Sequence, residues 1–281
     1  MHAFYLDSPR HGQRFCVHHE ADGERPRGRI LYLAPFADEM NKARRMAALQ
    51  ARALAKAGFD VLQIDLLGCG DSSGDFGDAS WEAWIDDVLH ACEWLLARPS
   101  NLPLWLWGLR SGCLLAAEAH RRLAVPSHLL FVQPPVSGKP LLQQFLRLKL
   151  AGDMLDGSSK GLMARMRADL EQGQALEIAG YTLSAALAQG LETAQLLPPQ
   201  GARASPPQLV WVELVSREDA QFSPVSQQAQ QHWRDAGYAL SCELVRGAGF
   251  WQTAEIEEVP ALIEACSRLL LAADVAARSG A

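Results

Sequence analysis

The chain has 281 residues, 49% of them hydrophobic and 21% charged, which suits one large α/β domain with a modest insertion. A formal net charge of −6 and a pI near 5.8 exclude the basic footprint that phosphate binding needs, so no nucleic-acid partner is expected. Six cysteines without a CxxC pair argue against a zinc ribbon or a disulfide framework, and no metal or cofactor is expected.

The N-terminal residues Met1–Asp7 lack a basic region followed by an apolar run, and nowhere do eighteen apolar residues follow one another. The sequence therefore predicts no signal peptide, no membrane span and a cytoplasmic location. Short strands are expected at Ala3–Asp7 and Arg14–Glu20, then a buried strand at Arg29–Ala34 ending at Pro35. A helix follows over Asn41–Lys56, with Gly58 as its stop. The next strand, Phe59–Asp65, runs into a glycine-rich loop. Ser80 is placed to cap a helix whose apolar face is Trp81, Trp84, Ile85, Val88, Cys92 and Leu95. Strand Leu102–Trp107, helix Ser111–Leu123 and strand His128–Gln133 come next. From about Ser137 to Ser205 the chain is helical in propensity and has no strand-like runs. Alternation resumes with strand Gln208–Val215, a helix over Pro224–Ala236, strand Ala239–Val245 and a helix over Ile256–Ala273.

Strands and helices alternating in this way imply a mostly parallel, doubly wound sheet. The expected organisation is a core of residues 1–136 and 206–275, a helical lid of residues 137–205, and a frayed tail, 276–281. The basic clusters Lys42-Ala43-Arg44-Arg45 and His120-Arg121-Arg122 read as solvated helix faces.

Three segments carry the chemistry. Asp65-Leu-Leu-Gly68-Cys-Gly70-Asp71-Ser72 follows a strand. Its Gly-x-Gly suits a dinucleotide loop poorly, because it does not follow the first strand and an aspartate precedes it. Leu104–Cys113 reads as strand, sharp turn, helix, with Gly108 and Gly112 at the spacing of the Gly-x-Ser-x-Gly nucleophile elbow. The central residue of that elbow is Arg110, and Ser111 comes one place later. Leu33–Glu39 lies where an α/β-hydrolase fold places its second oxyanion-hole amide.

Ala34–Lys42, Asp65–Phe76 with Trp81, Gly108–Gly112 and Gly247–Gln252 together resemble the exosortase A system-associated hydrolases of the second type. The resemblance covers most of residues 1–140 and about 205–260. It implies an α/β-hydrolase fold and a setting beside exopolysaccharide and protein-sorting functions. In such a fold the catalytic acid follows the strand after the lid, where Asp219 is the candidate and Glu218 the second choice; an ordinary strand-end turn is the other reading of Asp219. The histidine belongs in the loop Arg246–Gln252, which has none, and His232 falls in mid-helix. The Ser-His-Asp mechanism is thus unavailable.

The candidate catalytic residues are Ser111 and Asp219. The candidate ligand-binding residues are Arg110, Phe36, Asp38, Glu39, Leu109, Phe250 and Trp251. A guanidinium at a helix N-terminus needs a nearby anion, either Asp38, Glu39 or Asp219 or a bound anionic ligand. Three readings remain open: a silent scaffold for a protein partner of polysaccharide or sorting machinery; a binding protein or non-hydrolytic enzyme for a carboxylate-, phosphate- or acyl-bearing ligand; and an esterase, thioesterase or acyltransferase using Ser111 or Cys113 with an unusual base. The sequence leaves the oligomeric state undetermined.

Overall fold

The computed structural model describes residues 1–8, 12–23, 26–98, 102–153, 161–199 and 206–279. One eight-stranded sheet organises them, in the order β1-β2-β4-β3-β5-β6-β9-β10. Its strands are β1 (His2–Asp7), β2 (Gln13–His19), β3 (Gly28–Leu33), β4 (Phe59–Ile64), β5 (Leu104–Leu109), β6 (Ser127–Val132), β9 (Gln208–Val215) and β10 (Ala239–Arg246). From β4 to β10 every pairing is parallel, while β1 and β2 extend one edge antiparallel. Every residue of β3 and β5 is buried, as expected of central strands covered on both faces.

Helices α1 (Asp38–Lys56) and α8 (Pro260–Ser279) cover one face, meeting Ile30, Trp105, Val210 and Val212. Helices α2 (Trp81–Leu96), α3 (Gly112–Arg122) and α7 (Pro224–Asp235) cover the other, around Leu31, Leu106, Phe131 and Trp211. Ser80 caps α2 as expected, its hydroxyl accepting from the Ala83 amide at 3.1 Å.

Between β6 and β9 the described residues form α4 (Lys139–Asp153), α5 (Leu162–Glu171), a hairpin of β7 (Leu176–Ile178) and β8 (Tyr181–Leu183), and α6 (Ala185–Thr193). The hairpin departs from the all-helical expectation. Its turn residues Ala179 and Gly180 both have positive φ, 50° and 83°, the backbone of a tight hairpin turn. A bridge between Ser137 and Gln195 ties the two ends of this cap together. Residues 154–160 and 200–205 of the expected lid lie outside the described residues. The expected frayed tail is helical through Ser279, where Arg278 pairs with Asp274 at 3.0 Å; residues 280–281 lie outside the described residues.

The Lys42–Arg45 cluster faces solvent as expected, with Arg44 and Arg45 exposed, whereas His120 does not. His120 is buried between the hydroxyls of Ser127 and Tyr238, each 2.6 Å away. Arg121 and Arg122 both pair with Glu118, and Arg44 pairs with Asp65.

Candidate functional site

The turn from β5 into α3 is shaped by its glycines. A Cβ on Gly112 would stand 2.1 Å from the Leu33 carbonyl oxygen, and one on Gly108 would stand 2.5 Å from the Cys113 backbone. Strand and helix therefore close tightly around the residue between them. Arg110 takes that apex with φ 53°, in the left-handed region that L residues avoid, and its amide donates to the Val132 carbonyl at 3.0 Å. This is the backbone of a nucleophile elbow with a guanidinium in the nucleophile's place.

That guanidinium is already satisfied. Its Nε and Nη2 donate to the two carboxylate oxygens of Glu39 at 3.2 and 3.0 Å, a two-pronged pair with both side chains about one-sixth exposed. The indole of Trp251 lies 5.3 Å from it, within cation–π range. Trp251 belongs to the loop after β10, where a triad histidine would belong. Of the three acids proposed for Arg110, the structure selects Glu39. Asp38 instead pairs with Lys42 at 3.2 Å.

Asp219 does not reach the elbow. Its side chain is 84% exposed and lies 3.8 Å from the Arg217 guanidinium, because the turn after β9 points into solvent. Glu218 is also exposed. His232 lies on the exposed face of α7.

Ser111 is 2% exposed, has helical backbone angles (φ −57°), and makes no side-chain cap bond. Among the described residues no imidazole or carboxylate bonds its hydroxyl. Cys113 is wholly buried, its thiol donates to the Gly108 carbonyl at 3.1 Å, and burial pushes its pKa far above the ordinary thiol range. A thiol held that way supplies no thiolate near neutral pH.

Phe36 and Ala37 make the turn opposite. Ala37 has φ 51° and ψ −126°. The amides of Phe36 and Ser111, the pair that would line an oxyanion hole, have no acceptor among the described residues. The Phe36 ring packs edge-on against Phe76, Trp84 and Phe145.

A pocket of about 190 Å³ opens above this cluster. Phe36, Glu39 and Trp251 form its base, and Leu141, Phe145 and Leu148 of α4 form its roof. Three residues expected to bind ligand do not line it. Leu109 and Phe250 are each 2% exposed and pack in the core on the α1–α8 side of the sheet. Arg110 lies behind Glu39 and Trp251 and does not line the pocket. The α4 residues were missed because only the packing of the cap, not any local motif, brings them over the elbow.

Among the described residues no helix is long and apolar enough to cross a membrane, and no group of His, Cys, Asp or Glu is placed to hold a metal ion.

The family model described as serine aminopeptidase, S33 (Hydrolase_4) matches residues 25–169, just over half the chain. A curated relative, the lysophosphatidylserine lipase ABHD12 of Gallus gallus, is 31% identical over 87 residues. That stretch is 30% of this chain and 22% of the lipase, so the chain matches only about a fifth of its curated relatives' length. Among solved structures, Est1E of Butyrivibrio proteoclasticus with bound ferulic acid superposes with a TM-score of 0.67 at 13% identity, over 98% of this chain and 100% of that one. A soluble variant of the monoglyceride lipase of Saccharomyces cerevisiae gives 0.63 at 15% identity, over 98% and 94%. At these identities the structural likenesses establish the fold: an α/β-hydrolase fold with a mostly parallel central sheet.

Proposed function

Because the chain belongs to the serine aminopeptidase S33 family of α/β-hydrolases, we propose that it keeps the hydrolase scaffold for binding and does not hydrolyse. The observation that carries this reading is Arg110 at the strained elbow apex, closed off by Glu39 and Trp251. In a working serine hydrolase that apex holds the nucleophile, an imidazole lies beside it and a carboxylate orients the imidazole. Here the three places hold a guanidinium, an indole loop and a solvent-facing aspartate.

The pocket above the elbow supports an acyl or other apolar group as the ligand. Its roof is aromatic and aliphatic, and Phe36 and Trp251 flank Glu39 in its base. The free amide of Phe36, which lines the pocket, suits a carbonyl oxygen. A phosphate or carboxylate is the less favoured ligand, since Asp38 and Glu39 line the same space and Glu39 already neutralises Arg110. The setting we propose, alongside exopolysaccharide or protein-sorting machinery and with a protein partner from it, is supported by the resemblance of residues 34–42, 65–76, 108–112 and 247–252.

Intact-mass spectrometry after a fluorophosphonate probe tests the reading, with Ser111→Ala and Cys113→Ala as controls. The expected result is a folded protein without adduct. A stoichiometric adduct that disappears in one control would establish a nucleophile and make the protein an esterase, thioesterase or acyltransferase with an unorthodox base.

A further inference from the structure

A second cavity, of about 370 Å³, lies beside α1 where the antiparallel strands extend the sheet. Met40, Ala47 and Ala48 of α1 form one wall, and Phe15 and Val17 of β2 form the floor. These floor residues share a face with Gln63 and Tyr32. Val17 stands opposite Gln63 in the β2–β4 ladder, and Tyr32 stands opposite Gln63 in the β3–β4 ladder. The cavity shares no lining residue with the pocket above the elbow.

Apolar walls with a few convergent polar groups are the usual make-up of a small-molecule site. Tyr32 lines the cavity and is only 4% exposed, yet its hydroxyl makes no hydrogen bond among the described residues. The hydroxyl oxygen itself keeps accessible surface, so it presents a free donor to the cavity.

The neighbouring side-chain charges cancel, and Met1, which carries the remaining charge on its ammonium, is 81% exposed. Arg44 pairs with Asp65 at 3.0 Å, and Asp65 also accepts from the Asp71 amide at 3.2 Å. The glycine-rich loop makes that arrangement possible, because a Cβ on Gly70 would fall 1.9 Å from the Asp65 carboxylate. His19 bonds Gln63 at 3.1 Å, and burial lowers its pKa, which keeps the imidazole neutral. Size sets the remaining constraint. A dry cavity of about 150 Å³ holds benzene, so this one has room for a fused bicyclic body with a short substituent.

We propose that this cavity is a binding site for an uncharged small molecule with a ring-bearing apolar body and one hydrogen-bond acceptor, which the Tyr32 hydroxyl engages.

The probe is 2-acetylnaphthalene, titrated into the full chain and followed by saturation-transfer NMR, beside naphthalene and 2-naphthoate. Saturable binding of the ketone is expected, with naphthalene about 5-fold weaker, the size of one net hydrogen bond, and the anion weaker than the ketone. Tyr32→Phe is expected to bring the ketone down to the level of naphthalene while leaving the thermal midpoint unchanged, since the lost hydroxyl bonds nothing in the protein. Val17→Trp, which fills the floor, is expected to abolish binding. If that variant does not fold, Ala48→Phe fills the same space from the helix side. The proposal is overturned by an absence of saturable ketone binding, by binding that survives the filled cavity, or by a ketone affinity indifferent to Tyr32→Phe.

Discussion

The Arg110 guanidinium is held like a structural ion pair, at a place where the backbone is still bent as if for chemistry. A left-handed φ on a residue other than glycine costs about 1–3 kcal/mol, and the close approach of β5 and α3 enforces it whatever side chain stands there. With both partners mostly shielded from water, Glu39→Gln is expected to lower stability by about 1–3 kcal/mol, because the guanidinium loses its counter-charge and one of its two acceptor oxygens. A double-mutant cycle of Arg110→Ala with Glu39→Ala, read by urea unfolding, is expected to give a coupling of about 1–2 kcal/mol; a value near zero would mean that the pair is ornamental. Restoring the nucleophile alone is expected to achieve nothing. Arg110→Ser should leave p-nitrophenyl acetate turnover at background, and turnover well above it would reveal a base that the geometry does not show. The sequence made Arg110 conspicuous through the Gly108 and Gly112 spacing. It could not say which acid answers it, because Glu39 lies in the first turn of α1 and Asp219 in the turn after β9, and only the fold decides which of them faces inward.

At the level of elements, the strands of the sheet were legible because each is a short apolar run between turn residues. Gln208–Val215 falls where it was expected, to the residue. Helix ends were less so. α1 begins at Asp38, three residues before the expected start at Asn41, on acidic residues that favour a helix N-terminus. α8 begins at Pro260, not Ile256, since proline fits the first turn and Ile256 is exposed. The cap hairpin left little trace, because its strands are three residues long and Ala-Gly stands in place of the more telling Asn-Gly. The elbow gives the sharpest test at this scale. Gly112→Ala would drive a methyl into the Leu33 carbonyl oxygen, which is backbone and cannot rotate away. A loss of about 3 kcal/mol is expected in thermal or urea denaturation. Unchanged stability would mean that α3 can slide off the sheet more easily than its packing implies.

Across the whole molecule, buried His18 and half-buried His128 couple the fold to pH, with buried His19 shifted in the same direction. Burial first, and for His18 also the Arg98 guanidinium, pushes His18 and His128 down from 6.5 to about 4. Both rings work as acceptors. His18 Nε2 takes a hydrogen bond from Arg98 at 3.1 Å, and His128 Nδ1 takes one from the Gln208 amide at 3.0 Å. The unfolded chain, titrating near 6.5, binds these protons first as pH falls. Stability from the two rings is therefore present above pH 6.5, drains away between about 6.5 and 4, and changes no further below that. A drop of a few kcal/mol across that interval is expected in urea midpoints. His18→Gln with His128→Gln is expected to flatten it, and an equally steep wild-type-like profile in that double variant would assign the effect to other groups.

The cap leaves the sheet after β6 and returns on β9, and those two strands are hydrogen-bonded neighbours. To the sheet, the whole excursion is one long loop whose ends already stand side by side. The entropy of closing such a loop rises only with the logarithm of its length, about 0.6 kcal/mol per doubling. The segment roofing the pocket can therefore be lengthened, shortened or exchanged for another at little cost to the sheet, provided the seam where Gly190 of α6 presses on Trp81 of α2 is kept. The part of this protein that roofs the pocket is thus the part that the rest of the molecule leaves freest to change.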